Sequence, residues 1–355
     1  MDKKNEQPRV AVATGKTREE TVRKAIDLVR EELLANIIGS VMIKPNFLSS
    51  VNNLASTQAG AVRPVIELLR DADAESVIIA EGGSRSTPQA FDNFGYREMA
   101  KQFSAECVDL NHGHFSRSFE IITGNRTSHI AQYADLTGKV DTIISVPVAK
   151  THDTAGVTLS LKNMMGCLRR VHRPRMHGIR IGGLPSLIGE TLWNTIEGHP
   201  LVIKSFSGVI FSIVQRIRSR NTKKDDSVNT GFIKQVGAMA ENLARLGEIL
   251  MPDIAIIDAF EAMEGDGPGS AGTPVAMKVA VVGTDPIACD TVMASMMGFE
   301  SSDIGYLTLA HERGLGVADI GKIEIVGEDP GQLRRYFKPH SNFPVQKKWR
   351  EAWND

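Results

Sequence analysis

Residues 76–110, SVIIAEGGSRSTPQAFDNFGYREMAKQFSAECVDL, run from an apolar strand through a glycine turn into helical spacing and out to a second strand. The β-branched run 76–80 reads as a short buried strand, and Glu81-Gly82-Gly83-Ser84 is the loop that leaves it. Residues 89–94 and 96–103 read as helices around Gly95, and 108–110 as the next strand. Strand, polar loop, helix and strand in that order form the crossover unit of a parallel sheet. The alternation recurs on both sides. Residues 9–14 (RVAVAT) read as a strand, 17–34 as a helix, 41–43 as a strand ending in Lys44-Pro45-Asn46, 60–70 as a helix, and 142–146 (TIISV) as a strand stopped by Pro147. From residue 239 the pattern resumes with a helix over 239–250, strands over 253–258 (DIAIID) and 277–283, and a last strand over 322–326. A helix over 286–297 has Asp285 as its N-cap and Gly298 as its stop.

The expected fold class is therefore α/β, with one or more largely parallel sheets flanked by helices. Two α/β lobes, 8–186 and 236–330, are expected, with a helical, basic insertion or linker over 187–235 and a polar-aromatic tail over 331–355. The insertion holds an apolar run, 201–214, followed by Arg216, Arg218, Arg220, Lys223 and Lys224. It reads as an amphipathic helix with a solvated linker, as a lid or homodimer contact, or as a membrane-surface helix. The tail is a second candidate dimer contact.

Charge and cysteine content remove several function classes. Lys+Arg is 41 against Asp+Glu 42, so no global basic field exists and no nucleic-acid partner is expected. No apolar run reaches the ~18 residues of a membrane span. The start, MDKKNEQPRV, leads straight into a strand without a signal-peptide core, so a cytoplasmic location is expected. Cys107, Cys167 and Cys289 are scattered, with no C-x-x-C pair. Iron–sulfur clusters and structural zinc sites take about four ligands, mostly cysteine, so this chain is expected to hold no iron–sulfur cluster.

In parallel sheets the functional loops lie at the carboxyl ends of the strands. Three strand exits here carry unusual polar residues. At the first, Pro45 fixes the backbone and aims Lys44 and Asn46. At the second, Gly83, Ser84, Arg85 and Thr87 offer backbone and side-chain donors to an anion. The third opens the stretch 146–177, VPVAKTHDTAGVTLSLKNMMGCLRRVHRPRMH, with Lys150, His152, Lys162, Asn163 and His177. His152 and Lys162 are the candidate catalytic residues, because imidazole moves protons near neutral pH and an otherwise apolar segment does not bury a lysine without a role. Lys44, Asn46, Gly83, Ser84, Arg85, Thr87, Lys150 and Asn163 are candidates for binding a small anion, a carboxylate or a phosphate. Asp258, Glu264 and Asp266 read either as ligands of a divalent metal or as a polar glycine-proline turn with its caps.

These motifs resemble a known family. KPN at 44–46, AEGGSRST at 80–87, KTH at 150–152 followed by TLSLKNMMG at 158–166, DAFEAMEGDGPGSAGTP at 258–274 and DPIACD at 285–290 are similar to the family called domain of unknown function 362. Many of its members carry a ferredoxin-like module after this region. The present chain has no cysteine after Val326, so that label is not carried over. A more distant resemblance is to the nickel-pincer lactate racemases. It implies a racemase-like or oxidoreductase enzyme in which Lys162 tethers a nickel-pincer-like nucleotide, His177 ligates the metal and His152 shuttles a proton. The chain departs from that pattern at Ser84, where a histidine is expected beside Arg85, and at Ser160 and Leu161, where glycines are expected. An enzyme acting on a small anion is the first expectation. A non-catalytic sensor or assembly protein, and a redox accessory working with a partner's cluster, are the alternatives.

Overall fold

A computed structural model describes residues 7–179 and 226–353 of the chain. Most of the expected insertion lies outside them, including Arg216 to Lys224. Its last ten residues, 226–235, belong to the helix Asp226–Leu250, which begins well before the expected residue 239.

The strands are β1 (Arg9–Thr14), β2 (Ser40–Pro45), β3 (Ser76–Glu81), β4 (Glu106–Asp109), β5 (Arg117–Ile122), β6 (Ser128–Tyr133), β7 (Thr142–Val146), β8 (Val148–His152), β9 (Gly156–Thr158), β10 (Ile254–Gly265), β11 (Gly272–Val275), β12 (Val279–Gly283) and β13 (Glu324–Gly327). The main sheet runs β13-β1-β12-β10-β7-β2-β3-β4. β12 is antiparallel to both neighbours, and every other pair along that path is parallel. The architecture is thus α/β with a mostly parallel sheet. Strands from both halves of the chain share it, since β1 lies between β12 and β13, and β10 lies against β7. β1, β10, β7, β2 and β3 all point one way, which brings their carboxyl ends to one edge.

The sheet is covered on both faces. β1 sends Val10 and Val12 into one apolar layer and Ala11 and Ala13 into the other, the period of two expected of a strand. The first layer holds Met239, Leu243 and Leu246 of the helix Asp226–Leu250 and Ile287 and Val292 of the helix Pro286–Met296. The second holds Val22 and Ile26 of the helix Arg18–Leu28 and Val62, Val65 and Ile66 of the helix Ala59–Asp71.

Local signals set the helix ends. The Thr17 hydroxyl accepts the Glu20 N–H at 3.1 Å as the N-cap, and the Glu20 carboxylate reaches back to accept the Lys16 N–H at 2.9 Å, one residue before the cap. Asp285 caps Pro286–Met296 by accepting the Ala288 N–H at 2.9 Å, and Gly298, at φ 89°, follows its end. The single helix expected over 17–34 is two, Arg18–Leu28 and Arg30–Asn36, broken at Val29 (φ −127°, ψ 26°). The break lets Val29 and Leu33 both stay buried. The tail packs on its own chain: the Arg335 and Phe337 N–H groups donate to the carbonyls of Met296 and Met297 at 2.7 and 3.0 Å, and Trp349 Nε1 donates to Ser302 O at 3.2 Å.

Candidate functional site

The carboxyl ends of β2, β3 and β8 gather most of the expected polar residues. Lys44, the penultimate residue of β2, is fully buried and ion-paired with the buried Glu81 at the end of β3. Its ammonium also donates to Pro45 O at 2.9 Å and Asn163 Oδ1 at 3.3 Å, so its three donors are placed. Glu81 in turn accepts the Phe47 N–H at 3.1 Å. Gly166 lies against this pair, and a Cβ there would come within 2.6 Å of both charged groups. Lys44 and Glu81 therefore form a closed ionic layer beneath the site.

Pro147 separates β7 from β8, and β8 alternates so that Lys150 and His152 share a face while Thr151 turns to the other. Thr151 donates to Gly265 O at 2.9 Å. Lys150 is fully buried; its ammonium donates to the Asn46 side-chain oxygen and to Ala55 O at 2.7 Å. Burial, aided by the charge of Lys162, pushes Lys150 down to about 7. Thr158 stands opposite Lys150 in the β8–β9 ladder, and its buried hydroxyl has no hydrogen-bond partner among the described residues.

Lys162 sits on the short helix Ser160–Asn163, whose entry is fixed from a distance. The buried Asp290 carboxylate accepts the Ser160 and Leu161 N–H groups at 2.6 and 3.2 Å and the Tyr306 hydroxyl at 3.1 Å. Burial lifts Asp290 to about 7 against these donors. Asn163 closes the turn by donating to Lys44 O at 2.8 Å and Ser145 Oγ at 3.0 Å. Lys162 itself is half-buried and makes no hydrogen bond or ion pair among the described residues. Burial pushes its ammonium down to about 8, and the nearby Asp153 carboxylate opposes the shift.

His152 and His177 stack with ring centroids 5.4 Å apart and an interplanar angle of 21°. His152 Nδ1 lies 3.0 and 3.1 Å from the N–H groups of Thr154 and Ala155 and 3.1 Å from Asp153 Oδ1. Asp153 Oδ1 accepts the Thr154 hydroxyl at 3.0 Å. One donor atom each from His152, Asp153 and His177 lie within 4.8 Å of one another, so these residues could hold a metal ion. Two nitrogens and one oxygen suit zinc, iron or nickel sooner than magnesium or calcium. The tail braces this corner: Gln346 Nε2 donates to His152 O at 2.9 Å and Asn342 Nδ2 to Asp153 O at 3.1 Å.

The other expected residues lie elsewhere or are engaged. In the loop 81–87 the Gly83 N–H donates to Thr87 Oγ1 at 2.9 Å and the Ser84 N–H to Phe47 O at 3.1 Å, so both backbone donors turn inward. Ser84 and Arg85 are exposed. Arg173, which the sequence did not single out, stitches this loop to the next, donating to Gly82 O, to Asn111 Oδ1 at 2.9 Å, to Gly166 O at 3.1 Å and to Leu168 O. Asp258 is buried and ion-paired with Arg18 at 2.7 Å. Glu264 accepts the Lys338 N–H and Asp266 the Ser341 N–H, each at 2.8 Å. None of these three carboxylates belongs to a metal-competent group among the described residues. Asp153, beside His152, was not singled out by the sequence, whereas Asp290, which reads from sequence as one of the clustered carboxylates downstream of Asp258, instead holds a helix 130 positions away.

Comparison with known proteins places the chain. The sequence profile of the domain of unknown function (DUF362) matches residues 41–295. The chain belongs to this family. The DUF362 chain is also 20% identical, over 279 residues covering 78% of it and 68% of the relative, to a thylakoid-associated protein of Synechocystis sp.. Among solved structures it is similar to the lactate racemase apoprotein from Thermoanaerobacterium thermosaccharolyticum, at a TM-score of 0.32 and 16% identity, covering 50% of this chain and 42% of that one. The match thus spans less than half the length of the racemase. No helix among the described residues is long and apolar enough to cross a membrane.

Proposed function

We propose that this DUF362 protein is an enzyme acting on a small anionic substrate, a carboxylate or phosphate, at the edge where β8 and β9 meet the Ser160–Asn163 turn. One observation carries the reading: of the three lysines gathered there, Lys44 and Lys150 are fully buried and bonded, whereas Lys162 is half-buried and has no hydrogen bond or ion pair among the described residues. A half-buried cation without a counter-charge in contact is stabilised by an incoming anion. The charges of Lys150 and Lys162 oppose each other, and an incoming anion relieves that repulsion. His152 and Asp153 place an imidazole and a carboxylate near the same turn for acid–base work. If a divalent ion is bound by His152, Asp153 and His177, it would supply Lewis acidity next to the same anion.

The test is thermal unfolding of the full chain titrated with acetate, phosphate and short hydroxy and keto acids. At least one should raise Tm along a saturation curve, and Lys162→Met should abolish the rise while keeping the fold. An anion-dependent rise that survives in Lys162→Met, or no rise with any of these anions, defeats the proposal.

A further inference from the structure

The carboxy-terminal segment crosses the corner of His152 and Asp153 as a strap anchored on both sides of it. Before the corner, the Lys338 and Ser341 N–H groups donate to the carboxylates of Glu264 and Asp266, each at 2.8 Å. After it, Lys347 pairs with Asp303 at 3.0 Å and Trp349 Nε1 donates to Ser302 O at 3.2 Å. Between the anchors the strap sends two carboxamides onto the β8–β9 turn, Gln346 to His152 O and Asn342 to Asp153 O. Those carbonyls belong to the two peptide planes that flank Asp153. A peptide unit is rigid, so a residue has only the two dihedrals between its flanking planes. Holding both planes fixes the Asp153 backbone and the direction in which its side chain leaves. The second plane also carries the Thr154 N–H, which points at His152 Nδ1 from 3.0 Å. Tying down one end of that plane, the Asp153 carbonyl, aims the other end at the ring. Gln346 is 2% exposed, and its Oε1 has no hydrogen-bond partner among the described residues. A methionine would fill the same space without stranding an acceptor, so packing alone does not account for a glutamine here.

We infer that Asn342 and Gln346 are positioning residues, through which the strap sets the His152 ring and the Asp153 carboxylate. The inference rests on the acid–base role given to these two groups in the proposed function, and it adds residues outside the stretch 41–295 that the family profile matches. Each carboxamide acts through the backbone of the turn, so its loss should free the ring while the anchors keep the strap in place.

The experiment carbethoxylates the full chain with diethylpyrocarbonate and follows each histidine by peptide mapping, in the parent, in Gln346→Met and in Asn342→Asp. Both variants keep the size of the side chain and remove the donor. His112, with a side chain 71% exposed, is the reference for open reaction, and His172, 4% exposed, is the reference for opening of the whole fold. His152, 3% exposed, should react slowly in the parent. In each variant its rate relative to His112 should rise about tenfold, the factor that loss of one hydrogen bond gives to a local opening, while His172 keeps its parent rate. Tm of Gln346→Met should equal or exceed that of the parent. His152 rates unmoved in both variants, or His152 and His172 rising together, overturn the positioning. Should a variant fail to fold, the parent alone decides: protection of the Thr154 amide from hydrogen exchange supports the inference, and exchange as fast as in an exposed loop overturns it. The anion titration above is independent of these rates. A Lys162-dependent rise in Tm with unmoved His152 rates overturns the positioning and leaves the anion-binding function standing. Raised His152 rates with no anion-dependent rise overturn the function and leave the strap's hold on His152.

Discussion

Burial brings Lys162 to about 8, so at pH 7.4 about a fifth of the side chains carry a free amine, against roughly one in a thousand at the ordinary 10.5. Its trinitrophenylation rate should therefore rise with a midpoint near pH 8, well below that of the exposed lysines, as peptide mapping across pH would show. A midpoint near 10.5 removes the picture of a desolvated amine. The same shift has a stability consequence. Between pH 8 and 10.5 the folded chain binds fewer protons at this position than the unfolded chain, so stability rises with pH across that window and the cost is full below it. Lys162→Met should thus be more stable than the parent at pH 7, by on the order of 1–3 kcal/mol, with the advantage fading toward pH 10.5 in urea titrations. At this scale the sequence was partly legible. A lysine in an apolar segment signals a role, which drew attention to Lys162, but the signal is the same for Lys44, whose partner Glu81 lies 37 positions away. Only the fold separates a lysine with its counter-charge in place from one without.

The turn Ser160–Asn163 is four residues long and cannot hold itself, because so short a helix leaves most of its N–H groups without internal partners. Asp290 fills that need with its two oxygens, Oδ1 on the Ser160 N–H and Oδ2 on the Leu161 N–H. Asp290→Asn keeps one acceptor and turns an amide donor toward the other N–H, which should cost about 1–3 kcal/mol at pH 5. The gap should narrow as pH rises. Asp290 titrates near 7 in the fold against 3.8 in the reference state, so the parent loses stability from this group as pH climbs through that window, and the variant does not. Denaturant midpoints at pH 5 and pH 8 measure both effects; a gap that widens with pH contradicts the sign argued here. Elements with strong internal signals, such as the strand at 76–80 and the helix behind Asp285, were readable in advance. The hairpin of β8 and β9 was not, because each strand is three to five residues long and buried throughout, with no alternation to mark it. Residues 117–133 hid the β5–β6 ribbon for a related reason: its outward positions carry Ile130 as well as polar residues, which blurs the period of two.

The order of strands in the main sheet couples the two halves of the chain. β1 comes from the first half, yet both of its neighbours, β12 and β13, come from the second. β10 carries the junction, pairing with β12 on one side and with β7 and β8 on the other. The tail adds to the junction by tying Gln346 to His152 O and Asn342 to Asp153 O, so the corner holding the candidate site is shared between sequence-distant segments. Hydropathy patterns show where strands lie but not which strands pair, and the long connection through residues 187–235 made two lobes the natural reading of the alternation. With one continuous sheet, neither half can pair its strands without the other. Residues 1–186 expressed alone would leave β1 without a partner and expose the edge of β7 that faces β10, and the buried rows Val10–Val12 and Ile143–Ile144 would lose an adjoining strand. Urea unfolding of the full chain should therefore give one cooperative transition, coincident by far-ultraviolet circular dichroism and tryptophan fluorescence. The fragment 1–186 should lack a cooperative transition under the same conditions. Two separated transitions in the full chain, or a fragment that unfolds cooperatively by itself, would show instead that the halves are independent units joined at β10.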